Sequence, residues 1–487
     1  MQSRLLVWLG WSGADTIGRL ALLTGGTIVF SRLLSPHDFG VTAIVLTVIN
    51  VASVFVGTPF EEALAQRRAL RRGHLRAALA ASWGAGLAIA LLSVPLGALF
   101  AGFYHEPDIA LLLPACMASV FFSGHADVIT GLARRLRRFS DISIASLFSH
   151  LIGVTLSLVL CAMGFGVWAL IAQRVLIVVF RAAILQWRIG FWTLPKWSSR
   201  HIAELRRYAG LSLVDRLADN VTYLAFTGLI GAVYGVTTLG YVNIAMRLVE
   251  PIRGAIGGTS HNLAFSYFAS AQNDRVRLAA RLRKVIAEAA LAIAPVFVGL
   301  AAVTPLLLPL AVGPGWEPAI NIAVCLSLGS AIALPARLIY SAQASGGRPE
   351  FSLIANLAGV VGTLGLLLVA VDLGSLSVGL SRIFGDALQA AMALLMSRRL
   401  FFWPRRERLA ALAPAWIASG AMGALVALGP HLAPNVSPVI MLVISVLAGV
   451  VLYAGFVSLL SKEAFNRILG YLLPARRRGQ ILDAKDV

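Results

Sequence analysis

The chain has 487 residues, of which 58% are hydrophobic and only 13% are charged. A water-soluble protein of this length needs far more polar surface, so the composition excludes a soluble globular enzyme and indicates a polytopic membrane protein. The formal net charge of +19 would suggest a nucleic-acid partner if it lay on a soluble domain. Here the basic residues are distributed among loops between apolar segments, so we expect no nucleic-acid partner.

Fourteen apolar segments follow one another along the chain, each close to the length of about 20 residues that crosses a bilayer. They lie near 11–31, 39–60, 76–100, 109–131, 142–163, 167–187, 208–233, 238–264, 285–310, 319–342, 351–371, 375–397, 409–430 and 437–461. The sequence therefore predicts an all-α polytopic membrane protein with about 14 transmembrane helices.

The loops between these spans alternate between strongly basic and almost free of basic residues. Even-numbered loops and the two termini hold 32 of the 41 Lys and Arg residues, whereas the odd-numbered loops hold only Arg32. Because basic loops resist translocation, this pattern predicts that both termini are cytoplasmic. The first apolar segment carries Asp15 and Arg19 and lacks a small-residue cleavage site, so we interpret it as a span and not as a signal peptide.

The two halves of the chain show internal similarity at an offset near 200–210 residues. SPHDFGV at 35–41 opens the second span, and GVTTLGY at 235–241 opens the eighth span at the equivalent place. Both halves start on the same side of the membrane, so we expect two six-helix lobes related by a pseudo-two-fold axis along the membrane normal, plus a C-terminal helix pair. The expected organisation is an N-terminal lobe at 1–190, a cytoplasmic linker at 191–207, a C-terminal lobe at 208–400, and the helix pair with a basic cytoplasmic tail at 401–487.

Three predicted cytoplasmic stretches, 197–207, 269–284 and 463–475, combine apolar residues at helical spacing with flanking basic charge. This pattern is typical of helices that lie on an anionic membrane surface. We interpret them as anchors, with docking of a lipid substrate as the alternative.

Eight arginines fall inside the predicted spans, where the loop pattern does not explain them. They are Arg19, Arg174, Arg181, Arg216, Arg247, Arg253, Arg337 and Arg382. A charge at the bilayer centre costs about 3 kcal/mol on insertion scales, so such residues form pairs or face water and act on a ligand. Pairing within one helix is the first interpretation. It applies to Asp15–Arg19, Arg216–Asp219, Arg247–Glu250 and Arg382–Asp386, which stand three or four residues apart.

A binding site is the second interpretation. The first, seventh and eighth spans carry most of these charges, and we expect the first and seventh to face each other across the lobe interface. The forked donors of arginine suit phosphate and acidic sugars. The candidate substrate-binding residues are Arg19, Arg216, Arg247 and Arg253, with Asp15, Asp219 and Glu250 as charge partners or coupling residues. Glu288, near the inner end of the ninth span, is either an inert protonated acid or the carrier of a coupling proton.

Motifs for cofactor chemistry are absent from the sequence. It has no phosphate-binding Walker loop, no dinucleotide glycine fingerprint, no clustered Cys and His ligands and no nucleophile elbow. We therefore predict no cofactor, no metal and no catalytic residue, and any uphill transport is not driven by ATP hydrolysis in this chain.

Four short stretches resemble one known family. RLLSPHDFG at 32–40 is similar to the pattern R-L-L-x-P-x-D-F-G of the polysaccharide-transport (Wzx-type) family, within the multidrug/oligosaccharidyl-lipid/polysaccharide exporter superfamily. EALAQR at 62–67, GFGVWAL at 164–170 and GYVNIA at 240–245 resemble further patterns of that family, in the same order. The resemblance covers about 10–400. On the second span the chain departs from the arginine-lined cavities of related lipid flippases, because it offers Asn50 and no buried charge.

The resemblance implies a flippase, not an enzyme, in the inner membrane of a bacterium. It would turn a polyprenyl-pyrophosphate-linked oligosaccharide from the cytoplasmic to the periplasmic leaflet by alternating access, for exopolysaccharide, capsule or O-antigen synthesis. The implied partners are this substrate and membrane lipid, with polymerase or export machinery as a further partner, and we expect a monomer. The alternatives are an ion-coupled drug or cation antiporter of the same superfamily and a membrane polysaccharide polymerase.

Overall fold

The computed structural model describes residues 2–67, 69–269, 274–345, 348, 350–398 and 405–461. Every regular element in these ranges is helical, with fifteen α-helices and one 3-10 turn at Val371–Leu373. The α-helices are α1 Gln2–Leu33, α2 Pro36–Val56, α3 Thr58–Gln66, α4 Arg72–Tyr104, α5 Ile109–Arg135, α6 Phe139–Ala162, α7 Val167–Ile189, α8 Ser199–Tyr234, α9 Val236–Ala269, α10 Arg275–Val312, α11 Glu317–Ser345, α12 Glu350–Val369, α13 Ser375–Ser397, α14 Arg405–Leu432 and α15 Pro438–Leu460.

The predicted spans correspond to the long helices. Thirteen of the fourteen fall on one long helix each, to within two residues at the ends, whereas the second, 39–60, runs through α2 and past Gly57 into the short α3, which is the fifteenth helix. Within the described ranges, eleven helical stretches are long and apolar enough to cross a membrane. The three predicted spans outside that set, 11–31, 208–233 and 238–264, lie on α1, α8 and α9, where the intramembrane charges concentrate. The polytopic all-α fold class is confirmed, and the count of fourteen spans stays a prediction.

Two of the three predicted surface helices differ from the expectation. Residues 199–207 are the first turns of α8, which continues unbroken to Tyr234, and residues 275–284 are the first turns of α10, which continues to Val312. No proline interrupts either junction, so backbone hydrogen bonding carries each basic segment directly into the following helix. The third segment, 463–475, lies outside the described residues.

The chain divides into two compact units, Met1–Arg247 and Leu248–Val487. Unit 1 holds α1 to α8 and the first part of α9, and unit 2 holds the rest of α9 with α10 to α15. The lobes inferred from the internal repeat, separated at 191–207, rest on sequence similarity and stay a prediction.

Unit 1 is built from long neighbouring helices. Helix α4 packs along α5, α6 packs along both α7 and α1, and α8 packs against α2, α3 and α4. Glycines allow close approach at these interfaces. A Cβ on Gly131 would lie 2.7 Å from the carbonyl oxygen of Glu61, so only glycine lets α5 approach α3 this closely. The core beneath α3 contains Leu64, Leu75 and Leu205, each at most 3% exposed.

The start of α2 explains the SPHD stretch in physical terms. Ser35 is the N-cap, and its hydroxyl accepts a hydrogen bond from the backbone N–H of Asp38 at 3.3 Å. The Asp38 carboxylate accepts a hydrogen bond from the backbone N–H of Ser35 at 2.9 Å, which completes a capping box. Pro36 occupies the first helical turn, where its missing N–H has no cost. The stretch therefore fixes where the second span begins.

The repeat-related openings of α2 and α9 contact each other inside unit 1. A Cβ on Gly40 would overlap the carbonyl oxygen of Val236, and a Cβ on Gly240 would overlap the carbonyl oxygen of Pro36. The contact is reciprocal, because each glycine faces the backbone of the other segment. Glycine at both positions is therefore required for this helix crossing.

Around the start of α8, the segment 190–207 is held against the loop before α4. Glu204 accepts a hydrogen bond from His74 at 2.8 Å, forms an ion pair with Arg67, and lies 3.5 Å from Arg200. The His74 ring is 2% exposed, and its Nδ1 accepts a hydrogen bond from the backbone N–H of Arg71 at 3.1 Å. The hydrogen bond from His74, with the charges of Arg67 and Arg200, lowers the pKa of the Glu204 carboxyl below its ordinary value.

Unit 2 has two packed groups of helices. Helix α11 packs against α10 and α13, and α12 packs against α13. Helices α14 and α15 pack against each other and against α10. A cluster that includes Phe268, Leu282, Ile339 and Ala393 forms the core between α9, α10, α11 and α13.

Candidate functional site

The seven predicted site residues lie on three helices. Asp15 and Arg19 are on α1, Arg216 and Asp219 are on α8, and Arg247, Glu250 and Arg253 are on α9. The backbone of α8 is described, but the side chains of Arg216 and Asp219 lie outside the described ones, so their predicted role rests on the sequence alone. The boundary between the two units passes through α9, which places Arg247 in unit 1 and Glu250 and Arg253 in unit 2.

On α1, Asp15 and Arg19 form the same-helix pair that their spacing predicts. Nε of Arg19 lies 3.1 Å from Oδ1 of Asp15. The Arg19 side chain is 39% exposed and the Asp15 side chain is 13% exposed. The Arg19 guanidinium is therefore accessible, whereas the Asp15 carboxylate is largely covered. Arg19 can pair with Asp15 and still contact a ligand.

Arg247 has neutral partners in unit 1. Its Nε donates to Oδ1 of Asn243 at 2.9 Å, and its Nη1 donates to Oγ1 of Thr27 at 3.0 Å. Its guanidinium carbon lies 5.4 Å from the centre of the Phe39 ring. The helices thus orient this guanidinium by amide, hydroxyl and ring contacts, and no carboxylate among the side chains that the structure describes in unit 1 pairs with it.

Arg253 has a different environment, since it is buried in unit 2 at 5% exposure. Its Nη2 lies 3.3 Å from Oδ1 of Asp386 on α13, and its Nη1 lies 3.5 Å from Oε1 of Glu250. Glu250 therefore pairs with Arg253, although the helical spacing also allowed a pair with Arg247. Asp386 pairs with Arg253 as well, although the spacing allowed a pair with Arg382. Two carboxylates compensate Arg253, so its geometry is that of a structural ion-pair network.

One arginine outside the predicted site set has the accessibility that a ligand contact needs. Arg337 on α11 is exposed, and it forms no hydrogen bond or ion pair with any residue that the structure describes. Its electrostatic neighbours in unit 2 include Arg253, Asp386 and Tyr340. The sequence contained a usable signal, because no acidic residue lies within four positions of Arg337.

A second charged group in unit 1 joins α5 and α7. Nη2 of Arg181 lies 3.7 Å from Oδ1 of Asp127 and donates to the Thr130 hydroxyl at 3.2 Å. Arg174, about two helical turns before Arg181 on α7, interacts electrostatically with Asp127 and Arg181. Nδ1–H of His150 on α6 donates to the carbonyl oxygen of Ser146 at 2.7 Å. The contacts of Arg181 hold α5 against α7, so they indicate a packing role for this arginine.

His125 and the three cysteines have ordinary structural environments. Trp83 Nε1 donates to Nδ1 of His125 at 3.4 Å, and Nε2 of His125 is 3.1 Å from Oε1 of Gln186. His125 is thus a hydrogen-bonded residue between helices. The cysteines Cys116, Cys161 and Cys325 are buried and free. Across the described ranges, no three His, Cys, Asp or Glu side chains are close enough to share a metal ion.

Comparison with known proteins gives three kinds of similarity. A family profile described as "Polysaccharide biosynthesis protein" matches residues 29–321, which is more than half of the chain. The succinoglycan biosynthesis transport protein ExoT of Rhizobium meliloti (strain 1021) is 24% identical over 67% of this chain, and the match spans 66% of that protein, just under two thirds. The lipopolysaccharide biosynthesis protein WzxC of Escherichia coli (strain K12) is 22% identical over 74% of this chain and 77% of that protein.

Solved structures show the same fold at low sequence identity. The lipid II flippase MurJ, in an inward closed conformation, superposes with a TM-score of 0.74 at 12% identity, over 94% of this chain and 99% of that chain. An inward-facing multidrug resistance transporter of the MATE family superposes with a TM-score of 0.59 at 17% identity, over 79% of this chain and 97% of that chain. At such identities the likeness concerns the fold alone.

Proposed function

The chain belongs to the polysaccharide biosynthesis protein family, and from that premise we propose that it is a lipid-linked oligosaccharide flippase. It translocates a polyprenyl-pyrophosphate-linked oligosaccharide from the cytoplasmic to the periplasmic leaflet for the synthesis of exopolysaccharide, capsule or O-antigen. The names of its relatives, a succinoglycan transport protein and a lipopolysaccharide biosynthesis protein, support this substrate class. The protein is a multi-pass membrane protein, and we place it in the bacterial inner membrane with both termini in the cytoplasm.

The arrangement around Arg247 is the observation that carries the proposal. An arginine inside an apolar helix bundle costs free energy unless a ligand or water compensates it. Here amide and hydroxyl groups hold the guanidinium in one orientation, and no described carboxylate of unit 1 neutralises it. A pyrophosphate supplies the missing negative charge and accepts several of the forked N–H donors at once. Arg19 and Arg216 are the further proposed contacts, with Asp15 and Asp219 as their charge partners, whereas Glu250 pairs with Arg253.

Arg253 enters the proposal as a positioning residue, because Asp386 and Glu250 already occupy its donors. The drug or cation antiporter is the less favoured reading, since a cation site needs carboxylates in excess of arginines. In the described ion pairs inside the helices, the carboxylates Asp15, Asp127 and Asp386 are instead paired with arginines.

Deletion of the gene tests the proposed function. We expect the deletion strain to accumulate complete repeat units on carrier lipid that face the cytoplasm, as judged by their resistance to glycan-cleaving enzymes added to spheroplasts. Repeat units that reach the outer face and remain unpolymerised would contradict the flippase.

Substitution of Arg247 tests the site. Arg247→Gln should lower polymer export at least tenfold at unchanged protein levels, because one charge-assisted contact to phosphate contributes about 1.5–3 kcal/mol. Arg247→Lys should retain part of the activity. Arg348→Gln is the matched control, since Arg348 is exposed and pairs with Glu350 at 3.2 Å outside the predicted site. Full export by Arg247→Gln would refute the role of this arginine and leave the flippase assignment to the deletion experiment.

A further inference from the structure

The start of α2 and the start of α9 meet at one end of unit 1, where the end of α1 also lies. The loops at this end are odd-numbered ones, so the basic-loop pattern predicts that it is the periplasmic end. Gly40 lies against the backbone of Val236 there, and Gly240 lies against the backbone of Pro36. Because α2 belongs to the first sequence repeat and α9 to the second, this crossing closes the predicted periplasmic side at a junction of the two repeats.

A second contact at this end joins α4 to α8, which likewise come from different repeats. The Tyr104 hydroxyl donates a hydrogen bond to the carbonyl oxygen of Gly228 at 3.4 Å. A Cβ on Gly231 would lie 2.8 Å from Cε1 of Tyr104, so the absence of a side chain at Gly231 lets the ring lie against α8. Two pairs of helices therefore close the predicted periplasmic end of unit 1.

Arg247 lies about two helical turns beyond Gly240 on α9, and it connects the same helices. Its Nη1 donates to Oγ1 of Thr27 on α1 at 3.0 Å, and its guanidinium carbon lies 5.4 Å from the centre of the Phe39 ring on α2. Its bond to Asn243, by contrast, stays within α9. The guanidinium therefore ties α9 to two helices of the first repeat, next to the crossing of α2 and α9.

These two contacts use the groups of Arg247 that a phosphate would need. The Thr27 hydroxyl and the Phe39 ring are neutral, whereas a phosphate oxygen is charged, so the phosphate is the stronger partner of a guanidinium. A pyrophosphate also accepts several donors of the fork at once. A guanidinium that turns toward a pyrophosphate leaves the hydroxyl and the ring, and α9 then loses these ties to α1 and α2.

We propose that Thr27 and Phe39 are positioning residues that hold Arg247 as a latch beside the periplasmic crossing, and that the pyrophosphate of the substrate opens this latch by taking the guanidinium. The inference rests on the proposed function, which assigns a pyrophosphate to Arg247. A ligand shifts a conformational equilibrium only as far as it binds one state better than the other. In the periplasmic-open state Arg247 has left Thr27, so its donors are available and the substrate favours that state. Without substrate, the latch adds to the two helix contacts and keeps the periplasmic side closed.

The distance between two spin labels at the periplasmic end tests the proposal. The labels are attached to Leu33→Cys and Thr237→Cys in the full-length protein in nanodiscs, because both residues are exposed near the ends of α1 and α9 and the three natural cysteines are buried. Double electron–electron resonance then measures the closed and open populations. Farnesyl pyrophosphate should raise the open population about threefold or more, because a charged acceptor replaces neutral partners. Thr27→Val should raise it about threefold without any ligand, which is the ratio that loss of one neutral hydrogen bond gives, and Thr27→Ser should restore the closed state.

The control variants separate the latch from general packing. Thr47→Val also removes a buried hydroxyl, but Thr47 donates to the Ala43 carbonyl oxygen of its own helix at 2.7 Å, so this change should leave the open population as it is. Phe39→Leu should open the periplasmic end as Thr27→Val does, since leucine keeps most of the apolar volume without the ring. Wild-type distances in Thr27→Val would overturn the latch, and so would equal opening in Thr27→Ser and Thr27→Val.

Calorimetric titration of the same samples with farnesyl pyrophosphate separates the latch from the proposed function. Binding without a rise in the open population would overturn the release of Arg247 and leave the pyrophosphate site standing. No binding at all would contradict the proposed pyrophosphate contact and, with it, the release step. Binding that raises the open population of the wild-type protein, but not that of Arg247→Gln, would support both.

Discussion

At the scale of single residues, buried arginines with the same chemistry have different roles because their neighbours differ. Arg253 is 5% exposed and held by Asp386 and Glu250, whereas Arg247 is oriented by an amide and a hydroxyl. The sequence placed both in one candidate set, since helical spacing shows which partners are within reach on the same helix and nothing about partners on another helix. Asp386 is 133 positions from Arg253, so only the folded chain brings them together.

The Arg253–Asp386 pair leads to a stability prediction. Asp386→Asn and Arg253→Gln should each destabilise unit 2 by about 3–5 kcal/mol, because each leaves a buried charge without its main partner. The double substitution Arg253→Met with Asp386→Leu should recover most of that loss. Thermal unfolding in detergent, compared with Arg348→Gln, measures the effect. Additive losses in the double variant would show that the pair is not a coupled unit.

At the scale of helices, short local signals fix where elements begin, and glycines decide how closely they cross. The capping box of Ser35 and Asp38 defines the start of α2, and the sequence pattern places SPHDFGV at the opening of the second span. The reciprocal contact of Gly40 with Val236 and of Gly240 with Pro36 was not evident from the pattern, although both glycines occupy equivalent places in the repeat. The structure has continuous helices at 199–234 and 275–312 in place of the separate surface helices expected there. The amphipathic pattern marks where each basic segment changes into an apolar one, but the helix backbone continues through that change.

Substitution at the glycine crossing should be costly. Gly40→Ala and Gly240→Ala should each destabilise unit 1 by about 1–3 kcal/mol, because the added methyl group overlaps a backbone carbonyl that has no flexible side chain to displace. Gly102→Ala is the matched control, since a Cβ there meets nothing within 4 Å. Thermal unfolding and protein levels report the difference. Wild-type stability in both Gly40→Ala and Gly240→Ala would mean that α2 and α9 can move apart at this crossing without a loss of stability.

The contacts of Glu204 should make the stability of unit 1 depend on pH. The folded structure lowers the pKa of the Glu204 carboxyl, chiefly through the hydrogen bond from His74. Its contribution to stability is therefore present above the unfolded-state value of about 4.5 and is lost as the pH falls through the lower folded value. The difference in Tm between the wild-type protein and Glu204→Gln should be present at pH 7 and should diminish as the pH falls below the unfolded-state pKa of the carboxyl. Asp372→Asn, an exposed acid elsewhere, should show no such pH dependence.

At the scale of the whole molecule, the basic-loop pattern predicts the orientation of the protein in the membrane. Lys196 belongs to a basic loop and Asn435 to a loop without basic residues, and both positions are exposed. The three natural cysteines are buried, so a single introduced cysteine is the main target for a polar thiol reagent. A membrane-impermeant maleimide added to spheroplasts should label Asn435→Cys, and it should label Lys196→Cys only after permeabilisation. The reverse pattern would place both termini outside.

The sequence by itself determined the class of the protein, the order and approximate bounds of its long helices, the resemblance to its family, and the identity of the arginines that topology does not explain. These properties follow from hydropathy and charge along the chain, which are local quantities. Only the tertiary structure decided that Glu250 and Asp386 neutralise Arg253, that Arg337 has no bonded partner in the described residues, and that Glu288 faces an apolar groove. Each of these depends on helices far apart in the chain, because the charge that a buried arginine can offer to a ligand is set by whichever carboxylates the packing brings within about 4 Å of it.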